Sequence, residues 1–522
     1  MGRILQALLG RRILLPWTDL FDAIPMNAWL GDREITADPP PRRSRGILNW
    51  VALIAAVLST IQILPGPAVA EDSSPKSTLS PAGVASRVLV LSDFHFNPFL
   101  GLSRAEFADL QSAPLEQWPD RLESQPAAQI GLDAPWSLIR GCLEDARSQI
   151  PRPEFILLPG DFLSHWWNTY YDRLAARSRT NDPAAFDAFT YRAMEFLTHE
   201  VRRSFPSTPI FPVLGNEDSD CGDYKITPGS PFLQRVAELW APLVGVGPTA
   251  DTHRQTFLKT FPAAGYYAVP LPTAEPTLLI ALNTVLWTPQ YRNACGSDTQ
   301  NPGEEQIRWL TSTLENLERS GGHAWLLMHV PPGIDDFGTH QAGGVAQPLW
   351  RPDWTARVVN LLQRHQARIH FSVAGHLHMD DFRILDAQSK IGGLIKVVPA
   401  VSPVYGNNPA YQILLRDDRR GTVTDYLTRL LPLRETGPTA HWQPEYEFRA
   451  GYPGAVLSPA FIHSLALGIA EPGRLQDTFL KRYSASGRPT PVSSRILSCA
   501  IWNLDPDNFG ACAPTPTAVP KP

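Results

Sequence analysis

Five short polar stretches in this chain each follow an apolar run, and each carries residue types that bind cations. Asp93 and His95 stand two apart in LVLSDFH, and Asp161 and His165 stand four apart in LLPGDFLSH. Asn216 follows a glycine in LGNED, His329 ends LLMH, and His376 and His378 alternate in VAGHLHMDDF. Imidazole and carboxylate suit borderline divalent metals, and an amide oxygen is tolerated beside them. Any one of these fragments is an ordinary turn. All five, in order and each at the end of an apolar run, point to strand-end loops that converge on one metal centre.

The elements that must position them can be read from the hydrophobic pattern. Short buried-type strands are expected at 87–91, 154–158, 210–214 and 277–282, with helical periodicity at 133–148, 184–202, 303–319 and 353–364. Later strands at 324–328, 367–373, 382–385, 394–398, 411–415 and 422–426 are spaced mostly as antiparallel neighbours. Early βαβ units followed by a strand-rich half give an α/β (α+β) class, two packed sheets flanked by helices. Fifty-one prolines favour long loops, and a net charge of −5 speaks against a nucleic-acid partner.

Residues 47–64 form the one long apolar run, with Arg42, Arg43 and Arg45 before it and Ala68-Val69-Ala70 after it. A basic flank, an apolar centre and a small-x-small end make a secretory signal, here 47–70, behind an extension of uncertain status, 1–46. An uncleaved membrane anchor is the alternative. Either way the rest of the chain is expected outside the cytoplasm, with a Ser/Pro/Ala-rich linker at 71–85. Five cysteines fit that compartment. Cys499 and Cys512 lie close together and are the expected disulfide; Cys221 and Cys295, in two polar loops, are candidates for a second. Cys142, within a helical pattern, is expected as a buried free thiol.

In this order, Asp-x-His, Gly-Asp, Gly-Asn, His and Gly-His-x-His resemble the signature of calcineurin-like metallophosphoesterases. GDFLSH, GHLHMDDF, YGNNPAYQILL and LQDTFLKRY resemble blocks of the acid sphingomyelinase-like phosphodiesterase branch. The resemblance spans about residues 86–512. It implies a four-layer αββα sandwich at 86–435 and a C-terminal helical region at 436–512; the Pro/Thr composition from 513 predicts a disordered tail. It also implies two divalent cations, zinc first with manganese or iron as alternatives. Asp93, His95, Asp161 and His378 would hold one, and Asp161, Asn216, His329 and His376 the other, with Asp161 shared. Water held between the cations would attack phosphorus in line. His165 resembles the branch's active-site histidine and would help protonate the leaving group. Asn283 would line the pocket or orient a ligand, and Asp380 or Asp381 would support the histidines from behind.

One position departs from the family pattern. Glu217 stands where a histidine follows Gly-Asn, and beside two cations it is expected to stay ionised. Three roles are open to it: a cap on Ser219 or the Cys221 loop, an extra metal ligand, or a contact to a substrate amine or hydroxyl. The expected activity is hydrolysis of a phosphodiester in a small molecule or lipid head group, with phosphomonoesters as further candidates. The linker leaves no room for the saposin-like lipid-presenting domain of acid sphingomyelinase itself, which favours small soluble substrates or lipid reached without a built-in helper; membrane contact is open but not indicated after signal cleavage. Nucleotide phosphohydrolysis is the alternative, and a non-catalytic binding protein on the same fold a more remote one.

Overall fold

The computed structural model describes residues 86–513 apart from 248, 294–301, 388–389 and 437–438. The apolar run, its flanks and the linker therefore lie outside the described residues, as do Cys295 and the tail beyond 513. In chain order the strands begin with β1 (Ser86–Val90), β2 (Ile156–Leu158), β3 (Ile210–Pro212), β4 (Tyr267–Pro270), β5 (Thr277–Leu282) and β6 (His323–Met328). Next come β7 (Ile334–Asp335), β8 (Gln347–Pro348), β9 (Ile369–Ala374), β10 (Asp381–Ala387), β11 (Lys390–Val397), β12 (Ala410–Arg416), β13 (Val423–Leu430) and β14 (Gln443–Glu447).

Twelve of them build two mixed six-stranded sheets, ordered β14-β13-β12-β1-β2-β3 and β10-β11-β9-β6-β5-β4. Strands β1, β2 and β3 are mutually parallel, and so are β5, β6, β9 and β11. Spacing alone predicts mostly antiparallel pairing among the later strands. Instead β6 and β9 run parallel because the helix Pro352–Arg364 returns the chain between them.

The sheets meet face to face through buried aromatics. Phe155 packs against Trp325 at 5.5 Å between ring centroids, and the Tyr267 hydroxyl donates to the Pro212 carbonyl at 2.9 Å. Helices cover the outer faces. On the helix Trp136–Gln149, Ile139, Cys142, Leu143 and Ala146 are buried at helical spacing. Phe196, from the helix Pro183–Ser204, packs on Trp136 and Phe96. Cys142 is a free, buried thiol, as expected.

Beyond residue 435 the chain is not helical throughout. Strand β14 extends the first sheet, pairing antiparallel with β13. The helix Ser494–Trp502 packs near β10, and Cys499 bonds to Cys512. Cys221 is also disulfide-bonded. The segment Tyr483–Arg488 braces loops of the sandwich: Asn408 N donates to the Ser484 carbonyl at 3.1 Å, and Asp380 N to the Tyr483 carbonyl at 2.9 Å.

Candidate metal centre

All the expected ligands sit just past the carboxyl ends of five parallel strands. Asp93 and His95 follow β1, Asp161 follows β2 and Asn216 follows β3; His329 follows β6, and His376 and His378 follow β9. Three strands of one sheet and two of the other thus deliver side chains to their shared edge, the usual ligand crevice of a parallel sheet. Asp93, His95, Asp161, His376 and His378 all have left-handed backbone, with φ between 42° and 71°. Such a conformation costs a non-glycine residue about 1–3 kcal/mol. Five in one place mark loops bent to aim side chains inward.

Glycines let these loops touch. A Cβ on Gly215 would overlap the Asp161 carboxylate, and one on Gly375 would overlap Ser92 Oγ and Asp93 Oδ2. Asp218 ties two loops together, accepting from Phe162 N at 2.8 Å and Gly215 N at 2.9 Å.

The hydrogen bonds fix which atoms point inward. His95 Nδ1 donates to the Leu163 carbonyl at 3.1 Å, and His329 Nδ1 to the Pro159 carbonyl at 2.8 Å. A carbonyl can only accept, so each neutral ring turns its Nε2 lone pair to the centre. There His95 Nε2 lies 2.9 Å from His378 Nε2, and His329 Nε2 lies 3.0 Å from Asn216 Oδ1. Asn216 is oriented by Asp223, which accepts from Nδ2 at 2.9 Å and so directs Oδ1 inward. His376 Nδ1 is 3.3 Å from His329 Nε2. Asp161 Oδ2 lies 3.4 Å from His95 Nε2 and 3.1 Å from His329 Nε2, while its Oδ1 accepts from Glu217 N at 2.9 Å. One carboxylate oxygen therefore faces both groups of imidazoles.

Lone pairs that converge on one another, with their outer atoms held by the scaffold, form the donor set that a cation satisfies. Asp161, His329 and His376 make one cluster of potential ligands, Asp93, His95 and Asp161 a second, and His95, His165 and His378 a third. Burial holds His95 at about 4 and His376 at about 3, and pushes His378 well below the ordinary value, so these rings stay neutral and able to ligate. Burial opposes charge on Asp161 and His329 as well, but their pairing prevails. His329 and His95 draw Asp161 below the carboxylate range, and Asp161 lifts His329 to about 9. A cation at His329 competes with that proton.

His165 stands beside this centre, its ring stacked on His95 at 4.1 Å. Asp133 accepts from its Nδ1 at 2.9 Å and from its backbone N at 3.0 Å, and Tyr405 OH lies 3.1 Å from Nε2. Burial alone would lower its pKa; Asp133 outweighs that and raises it. Sequence reasoning misses Asp133, Asp223 and Tyr405. Asp133 falls at the start of a periodic stretch that reads as helix, although the helix begins at Trp136.

Two expectations change. Asn283 does not line the pocket: it is fully buried, its amide donates to the Ala264 carbonyl at 2.8 Å, and its backbone exchanges hydrogen bonds with Gln306. Asp380 and Asp381 do not back the histidines, because buried cations claim them; Lys396 Nζ lies 2.6 Å from Asp380, and Arg383 pairs with Asp381.

Glu217 does not cap the Cys221 loop. Ser219 Oγ donates to the Lys225 carbonyl and accepts from Cys221 N at 3.0 Å without it. Nor does Glu217 join any of the three ligand clusters among the described residues. Burial, with Asp223 and Asp161 next to it, pushes its carboxyl well above the ordinary range, and cations nearby act in the opposite sense.

Two mixed six-stranded sheets packed face to face between helices, with carboxylates and imidazoles gathered at their common edge, form the mixed α/β sandwich expected from the sequence. In sequence the chain is similar to acid sphingomyelinase-like phosphodiesterases. It is 27% identical over 456 residues to acid sphingomyelinase-like phosphodiesterase 3b of Mus musculus, covering 83% of this chain and 92% of that one. Over 404 residues it is 25% identical to cyclic GMP-AMP phosphodiesterase SMPDL3A of Rattus norvegicus (74% and 83% covered). Sphingomyelinase phosphodiesterase C of Dictyostelium discoideum is 25% identical over 425 residues (76% and 86%). No family model matches the chain.

Proposed function

We propose that this chain is an exported, metal-dependent phosphodiesterase. The observation that carries the reading is the inward convergence of seven side chains, four of which, His95, His329, Asn216 and Asp161, have their outer atoms held by Leu163, Pro159, Asp223 and Glu217 N. Asp93, His95, Asp161 and His378 would hold one divalent cation, and Asp161, Asn216, His329 and His376 a second. Such cations supply Lewis-acid stabilisation of phosphoryl oxygens and a water that is nucleophilic at neutral pH. His165, oriented by Asp133, offers Nε2 as the proton donor to the leaving oxygen. Tyr405 OH, beside that nitrogen, marks where the substrate approaches.

The reading is tested by metal analysis together with turnover of bis-(p-nitrophenyl) phosphate. Exhaustive chelation should abolish turnover and lower the Tm, and zinc, manganese or iron should restore both. A chelated protein that keeps full turnover would overturn it.

Nucleotide-type phosphodiesters are a second reading of the substrate. A relative named for cyclic GMP-AMP and the exposed rings of Trp166 and Tyr405, 52% and 50% exposed, favour it, since such rings offer stacking faces. A panel of sphingomyelin, cyclic dinucleotides and glycerophosphodiesters separates these classes.

Export is supported by the basic-apolar-small pattern at 42–70 and by disulfides at Cys499–Cys512 and Cys221. Among the described residues no helix is long and apolar enough to cross a membrane. Mass spectrometry of protein from an exporting host should find a mature chain that begins at Glu71. Full-length protein retained in the cytoplasm would count against export.

A further inference from the structure

Every other carboxylate at the centre already has a task. Asp93 and Asp161 face imidazoles, Asp133 holds His165, Asp218 ties two loops, and Asp223 orients Asn216. Glu217 alone is spare. The residue is 7% exposed, and among the described residues its carboxylate oxygens meet no hydrogen-bond donor; only its backbone is used, its N donating to Asp161 and its carbonyl accepting from Ser219 N.

Its charged neighbours are Asp223 first, then Asp161, Asp133 and Asp218. Glu217 follows Asn216 directly and its backbone N–H bonds Asp161, so the residue stands beside the expected metal ligands. Tyr405, whose hydroxyl touches His165, has Glu217 as its foremost charged neighbour, and the Tyr405 ring is half exposed. A buried carboxylate without a donor is costly to the fold, and a second anion beside the phosphate repels it. A ligand bringing both positive charge and N–H groups removes both penalties.

We infer that Glu217 forms a specificity subsite for a primary ammonium group carried on one ester arm of the substrate. The inference rests on the phosphodiesterase reading above. A quaternary ammonium brings charge but no N–H, and a neutral alkyl arm brings neither, so both should bind less well. Glu217 is here a substrate-contacting group with no part in bond making.

The test is calorimetry on the metal-loaded mature chain with aminoethyl phosphate, choline phosphate and n-propyl phosphate. Wild type should bind aminoethyl phosphate about 10-fold more tightly than the other two, the gain of one charge-assisted hydrogen bond. Glu217→Gln, of equal size, should erase the preference by weakening aminoethyl phosphate alone. Equal affinities in wild type would overturn the subsite whatever the variant does, and so would a preference that survives in E217Q. Turnover of bis-(p-nitrophenyl) phosphate is measured in parallel. Turnover without an ammonium preference refutes the subsite alone, whereas the preference without turnover supports the subsite and removes the phosphodiesterase reading.

Discussion

Replacing Asp161 with alanine should lower kcat/KM on bis-(p-nitrophenyl) phosphate by about 10³-fold or more, equivalent to about 4 kcal/mol of transition-state stabilisation. The size follows from the position of one atom. Asp161 Oδ2 lies within 3.4 Å of both His95 Nε2 and His329 Nε2, so it serves both ligand groups at once. No neighbour can take its place, because Asp93 is committed to Ser92 and His376 N, and Asp218 to the backbone. Metal content should fall together with activity, and the Tm should cease to respond to added metal. Asp161→Asn keeps the shape and the bond to Glu217 N but loses the charge, so it should resemble the alanine variant. Full activity in either variant would end the metal-centre reading.

The second large effect falls on His165. His165→Gln should cut turnover of phosphodiesters with alkoxide leaving groups by about 10²–10⁴-fold, the usual contribution of a positioned general acid. With p-nitrophenolate, which leaves without a proton, the loss should stay under about 10-fold. Asp133→Asn, which removes the charge that holds and protonates the ring, should show the same leaving-group dependence in milder form. Metal content should not change in either variant. A uniform loss across leaving groups would recast His165 as a structural support, consistent with its stacking on His95.

Much of this is legible in the sequence, for a physical reason. The ligands lie just after short apolar runs, and a parallel sheet must gather the loops at its strands' carboxyl ends along one edge. The apolar run 277–282 bounds β5 correctly, and the four helical patterns fall within a few residues of the observed helix ends. The helices Pro231–Val244 and Ala250–Ala264 escape the pattern; each carries an internal proline, Pro242 and Pro262, that breaks a periodicity the tertiary fold tolerates. Strand β14, QPEYE, is polar and carries a proline, as an edge strand can, and so resembles loop. Asn283 looks like the other strand-end residues, yet Ala264 takes its amide N–H and Gln306 its backbone groups inside the scaffold. Pattern finds the end of a strand, but it does not show which way the side chain turns there. Asp133 and Asp223 carry no motif, and Tyr405 only heads the YGNNPAYQILL block, because orienting groups reach the site from whichever loop passes nearby.

Residue 217 supports the centre through its main chain, by the bond from its N–H to Asp161 Oδ1. Every amino acid except proline carries that N–H. The position is thus a socket whose plug can be exchanged: the wiring to the metal ligands stays intact while the side chain is free to vary. A chain could drift from histidine to glutamate here without passing through a broken site. Saturation at codon 217 should accordingly yield a family of proteins with a common metal centre and divergent tastes, the proline member alone defective in metal binding.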